Sequence, residues 1–119
     1  MASKKDKNAL LHASENGRTD NVRALLNRGI NVRHADADGR TALILASKEG
    51  HPKIVMMLLE KGIDVDHKDE DGWTALHHAS VKGRTEIVRA LLIKGATITP
   101  LLKEKILSGQ LPLDILPLL

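Results

Sequence analysis

Glycine recurs along this chain at a spacing of 33 residues, in three interleaved series: Gly17, Gly50 and Gly83; Gly29, Gly62 and Gly95; Gly39 and Gly72. Apolar positions keep the same register. Leu10, Leu43 and Leu76 are in phase, as are Ala13, Ala46 and Ala79, then Val22, Val55 and Val88, and the pairs Leu25-Leu26, Leu58-Leu59 and Leu91-Leu92. A fixed period of this length marks a stack of supersecondary units, none of which can bury its apolar face alone. The core of such a stack is a continuous stripe, and its stability accumulates from neighbour to neighbour. The period selects an all-α solenoid and directs the functional reading towards binding.

Within each unit the local signals agree. Thr41 precedes Ala42-Leu43-Ile44-Leu45-Ala46-Ser47, and Thr74 precedes Ala75-Leu76-His77-His78-Ala79-Ser80. A threonine hydroxyl accepts a bond from a free helix N–H, so both threonines are N-caps; Asn8 is the expected cap of the first unit. Gly50 ends the first helix of its unit, where positive φ is commonly needed. Pro52 opens a second helix with φ already set. Ile54, Val55, Leu58 and Leu59 fall on one face of it, and Gly62 closes it. Asp71-Gly72 is a turn signal in the long connector that follows. The unit reads helix, short turn, helix, long hairpin-like loop.

Composition removes several function classes. The chain has 119 residues, 42% of them hydrophobic, which suits one domain. It has no cysteine, so a disulfide framework, a thiolate metal site and a cysteine nucleophile are excluded, and a reducing compartment, cytoplasmic or nuclear, fits. No apolar run approaches the length of about 18 residues that a membrane helix needs. The polar, lysine-rich start lacks the apolar segment of a secretory signal. The net charge of +3 is modest, and basic and acidic stretches alternate as on a solvated surface. Trp73 is the single aromatic, whereas single-stranded nucleic acid needs stacking platforms, so no nucleic-acid partner is expected.

Asp38-Gly39-Arg40-Thr41-Ala42-Leu43 and Asp71-Gly72-Trp73-Thr74-Ala75-Leu76-His77 resemble the D-G-x-T-P-L-H opening of ankyrin repeats. Gly50-His51-Pro52-Lys53-Ile54-Val55 resembles their G-H-x-x-I-V segment, and Leu58-Leu59-Glu60-Lys61-Gly62-Ile63-Asp64-Val65-Asp66 their L-L-x-x-G-A-D-V-N segment. The resemblance covers roughly residues 5–99. Ala42 and Ala75 replace the usual proline; Arg33, Asp66 and Thr99 replace the usual asparagine. It implies a single ankyrin-repeat domain over 1–119: a capping repeat at 5–37, repeats at 38–70 and 71–103, and an incomplete apolar cap at 104–119.

The ends depart from the middle. Asn21 stands where Ile54 and Ile87 stand later, the polar substitution expected of an N-terminal capping unit, so a true start at Met1 is expected. After Thr99 the register fails, and Lys105 falls where glycine is due. A short helix over 100–108 is expected instead, capped by Thr99 and stopped by Gly109. Gly109-Gln110-Leu111-Pro112-Leu113-Asp114-Ile115-Leu116 resembles a shifted, incomplete repeat opening that Pro117 would break. The apolar tail either folds back onto Ile87, Val88 and Leu91 or serves as a partner or self-association segment.

The six histidines do not assemble a metal site on paper. His77 and His78 point about 100° apart on a helix, and His12 and His78 lie two units apart. His34 and His67 are loop-tip positions, exposed or in partner contact. The resemblance implies that His77 bonds to neighbouring backbone. Ser14, Ser47 and Ser80 are periodic and read as packing residues, not nucleophiles. No catalytic set, phosphate loop or cofactor is expected.

The resemblance further implies a row of finger loops beside a concave helix face that binds partners. Its variable triplets here are His12, Glu15 and Asn16; Leu45, Lys48 and Glu49; His78, Val81 and Lys82. Trp73, and Arg40 one unit earlier, sit at the fingers, and both types are enriched in binding hot spots; the alternative reading of Trp73 is packing over its own finger and the next. The contact set expected is Arg40, Lys48, Glu49, Trp73, His78, Val81 and Lys82. The function expected is non-enzymatic recognition of a protein partner by a monomer. The alternatives are a regulatory segment of a larger enzyme or signalling assembly, and a dimer formed through the tail.

Overall fold

The computed structural model describes residues 4–107, with side-chain environments from residue 8 to residue 105. The described residues form α1 (Lys4–Glu15), α2 (Thr19–Asn27), α3 (Ala42–Glu49), α4 (Pro52–Glu60), α5 (Ala75–Val81), α6 (Thr85–Ile93) and α7 (Pro100–Leu107). Helices α1, α3 and α5 stack in one layer and α2, α4 and α6 in a second, so the molecule is long rather than round, 45 × 24 × 22 Å. Between the layers runs the apolar stripe that the period requires, through Leu10, Val22, Leu43, Ile54, Val55, Leu58, Leu76, Ile87, Val88 and Leu91, all buried. The connectors are fingers with little strand character; Ala35 and Thr41 form an isolated antiparallel bridge.

The caps fall where the sequence places them. Thr41 Oγ1 accepts from the Ile44 N–H and Thr74 Oγ1 from the His77 N–H, both at 3.3 Å. Gly50 takes φ 82° at the end of α3, and Gly62 takes φ 74° after α4. A Cβ at Gly50 would lie 2.8 Å from Cζ of Arg84 in the next unit, an encounter that the flexible arginine side chain can relieve, so the left-handed backbone is the constraint there. Asn8 is different: α1 begins at Lys4, so Asn8 lies inside the helix and is not its cap. No Asp-Gly turn precedes it to stop the helix, and Lys4-Lys5-Asp6-Lys7 allows another turn. Asn8 Oδ1 instead lies 3.2 Å from Nε2 of His34. Asn21 is exposed, whereas Ile54 and Ile87 are buried.

Helix α7 forms where the period breaks. Thr99 caps it: Oγ1 accepts from the Leu102 N–H at 3.2 Å, and the carbonyl from the Lys103 N–H at 2.9 Å. Leu102 is fully buried in the common core. Helix α7 runs without interruption through residues 103 and 104. Gly109 and the segment from Pro112 onward lie outside the described residues.

Candidate partner-binding face

Two aspartates one period apart build the fingers. Asp36 Oδ1 accepts from the N–H groups of Asp38 and Arg40, both at 2.9 Å, while the Asp36 N–H donates to the Arg40 carbonyl at 3.0 Å. Asp69 repeats the pattern: Oδ1 accepts from Asp71 N–H at 3.0 Å and Trp73 N–H at 2.9 Å, and its own N–H donates to the Trp73 carbonyl at 3.0 Å. A side chain that bonds its own following backbone in this way fixes a turn without help from a sheet.

The fingers are also joined to each other. Glu70 N–H donates to the Asp38 carbonyl at 3.0 Å, and His67 Nε2–H to the Gly39 carbonyl at 2.9 Å. Gly39, at φ 76°, allows this approach; a Cβ there would sit 3.1 Å from the Glu70 nitrogen. His51 makes a similar junction, Nε2–H to the Glu15 carbonyl at 2.9 Å. The loop-tip histidines His34 and His67 are therefore half-buried braces, His34 reaching Asn8 on α1 and His67 the Gly39 carbonyl of the preceding finger.

The second oxygen of Asp69 completes a buried pair. His78 Nε2 lies 2.8 Å from Asp69 Oδ2, and both residues are 7% exposed. Burial pushes the Asp69 carboxyl up, but the His78 bond, the Trp73 and Asp71 N–H groups and the His78 charge outweigh it and hold it below the usual range. For His78, burial is the largest influence and lowers its pKa; the Asp69 bond and charge oppose it, and Lys48 and Arg40 push the same way as burial. The consistent state is a neutral imidazole donating Nε2–H to an ionised carboxylate. His78 is spent beneath the face rather than presented on it.

His77 departs from the resemblance more sharply. It is 1% exposed, and neither ring nitrogen has a hydrogen-bond partner. The bond to neighbouring backbone is not made, because its ring is stacked under Trp73 with centroids 3.7 Å apart. Burial first, then the His78 and Lys105 charges, lower its pKa to about 4 against the opposing pull of Asp69. Trp73 is half-buried over His77, 4.9 Å from the His78 ring and 5.8 Å from Lys105 Nζ on α7. It links its own finger to α5 and lies near α7.

Of the seven expected contact residues, four cluster. Arg40 and Lys48, both half-buried, act electrostatically on His78, and Trp73 lies beside it. Glu49 and Lys82 are exposed at the ends of α3 and α5, and Val81 packs partly on the core; no described contact joins these three to the cluster. The role of Asp36 and Asp69 in fixing the fingers is a structural finding, for which their 33-residue separation is the sequence signal. Lys105 is out of register and carried no signal. Among the described residues no three His, Cys, Asp or Glu side chains converge as a metal site would need. No described helix is long and apolar enough to cross a membrane.

A stack of helix pairs with braced fingers defines a helical-repeat scaffold. The family model for ankyrin repeats (three copies) matches residues 1–69 and again 32–101. The chain belongs to the ankyrin repeat family, whose members are in general non-enzymatic protein–protein interaction modules. Comparison with curated proteins returned no match.

Proposed function

We propose that this chain recognises a protein partner through its fingers and concave helix face, without catalysing a reaction. Arg40, Lys48, Glu49, Trp73, Val81 and Lys82 are the contact set, and His78 holds the face from below. The observation that carries this reading is Trp73: a partly exposed tryptophan on a finger fixed by Asp69 and joined to its neighbour. A surface already ordered loses little conformational entropy on binding, and a few anchors then dominate the affinity. The partner-free state is a monomer in this reading, because Leu102 is already committed to the core. Self-association through the apolar tail, at Ile115-Leu116-Pro117-Leu118-Leu119, is the secondary reading. The cytoplasm or nucleus is the compartment that suits a chain without cysteine.

The test is capture of a partner by the intact chain, followed by affinity measurement on variants. Trp73→Ala should weaken binding by about 2 kcal/mol, roughly 30-fold, with helix content unchanged. Lys48→Ala provides a second probe that leaves α7 untouched. A partner that tolerates both changes but is lost on Arg23→Ala or Lys53→Ala would place the binding surface on the convex side.

A further inference from the structure

The third unit is open where the first two are covered. Leu26 and Leu59 are 6% and 8% exposed, and Ile30 and Ile63 are buried as deeply, with a following unit packed beside them. Their counterparts Leu92 and Ala96 are only partly buried, and Ile98, in the place of Val32 and Val65, is 36% exposed. Beside them Ile93 is 76% exposed. That register position holds Asn27 and Glu60 in the earlier units, both exposed, so only the last unit sets an isoleucine on this surface. The half of a covering unit that belongs to the first layer is present. Thr99 caps α7 as Thr41 and Thr74 cap α3 and α5, and Leu102 takes the core place of Ile44 and His77, three residues after the cap. Three residues separate Gly95 from Thr99, against eleven between Gly29 and Thr41 and between Gly62 and Thr74. Helix α7 is therefore the first helix of a fourth unit whose finger has been removed.

We propose that residues 111–119 of the same chain cover the outer edge of α6, seating Leu and Ile side chains on Leu92, Ile93, Ala96 and Ile98 and closing the stack as the second half of that fingerless unit. Helices α2, α4 and α6 have nine residues each, and 111–119 supplies nine, six of them Leu or Ile and none Lys or Arg. Reach is sufficient: α7 carries the chain about 12 Å, and residues 108–111 can retrace a comparable distance towards Ile98. Pro117 bars a copy of α6, so the segment is not bound to the register that leaves Asn27 and Glu60 in solvent, and Ile93 comes within its range. Ile87, Val88 and Leu91 are already buried and offer it no surface. The segment is tethered beside the edge, at an effective concentration in the millimolar range, which favours it over a second copy of the chain. This proposal does not depend on the recognition reading.

The chain has no cysteine, so introduced thiols report on this edge without background. Ile93→Cys in the full chain is alkylated and compared with Glu60→Cys, the exposed counterpart one unit earlier, with circular dichroism confirming that both keep their helix content. A covered thiol at position 93 should react more slowly by roughly tenfold, and adding Leu113→Asp with Leu116→Asp should restore the rate seen at position 60. Equal rates at the two positions in the otherwise native chain would overturn the proposal. Ile93→Cys is then combined in turn with Leu113→Cys, Ile115→Cys, Leu116→Cys and Leu118→Cys and oxidised. A disulfide needs Cβ atoms about 3.5–4.5 Å apart, so at least one pair should close within the chain. Its yield should be independent of protein concentration and above that of the same tail position combined with Glu60→Cys. Disulfide dimers through position 93 that grow with protein concentration would assign the edge to a second copy and overturn the intramolecular cover. No cross-link above the Glu60→Cys control in any of the four pairs would overturn it as well.

Discussion

Acidification should destabilise this protein through His77, and the size of the effect follows from its surroundings. The ring is 1% exposed, has no acceptor or donor at either nitrogen, and faces Trp73, His78 on its own helix, Asp69 from the finger and Lys105 from α7. Folded, it stays neutral down to about pH 4; in the unfolded chain it takes a proton near 6.5. Between those values the unfolded state binds more protons, so stability is complete above 6.5 and falls as the pH drops towards 4. A gap of that width corresponds to about 3 kcal/mol, a large part of the net stability of a small domain. His78 is lowered too and adds a loss of the same sign. Asp69 is held below 3.8, so its contribution is lost only at still lower pH. Urea denaturation followed by helical circular dichroism, above pH 6.5 and near pH 4, measures the loss. His77→Leu should remove most of the slope while changing stability at neutral pH by about 1 kcal/mol or less, because two unpaired polar atoms are deleted along with the stacked ring. A native protein equally stable at both pH values, or a variant that keeps the full slope, would refute the reasoning.

Other substitutions test the stack. Leu58→Ala, at a fully buried position between units, should cost about 2–5 kcal/mol in urea denaturation; a loss under about 0.5 kcal/mol would contradict the packing register. Gly50→Ala should cost about 1–2 kcal/mol for the left-handed backbone, read as a lower melting temperature, with the Arg84 side chain free to move aside. Removing residues 101–119 takes away Leu102 and most of α7, and should lower the melting temperature and promote aggregation by light scattering. A truncated chain that stays monomeric at an unchanged melting temperature would show that the segment is no cap.

The architecture was legible because periodicity overdetermines it. Leu43, Ala46, Ile54, Val55, Leu58 and Leu59 are all buried, and Thr41, Thr74 and Thr99 all cap helices, since each depends on local chemistry or on a pattern stated several times in the sequence. Asn8 misled because a cap requires something to stop the helix before it, and no such turn precedes this one. The face was legible only in outline. His78 turns inwards because Asp69, nine residues before it, is folded back onto it. In the preceding unit Leu45 occupies the same register, so repetition could not announce that pair. The His77 stack depends on Trp73 and on Lys105, the latter supplied by a helix that lies out of phase, and a periodic reading has no means of bringing them together.

The junction between the fingers determines how they can respond to force or to a ligand. Glu70 is bonded to Asp38, His67 to Gly39, and the backbones meet at a point where even a methyl group would intrude. Displacing one finger must therefore drag the other, and the two turns keep a set pitch like neighbouring teeth of a comb. A molecule touching both is selected by the distance between its own contact points as well as by their chemistry. Lengthening the first finger by one residue should spoil such selection even though every side chain of the face is retained.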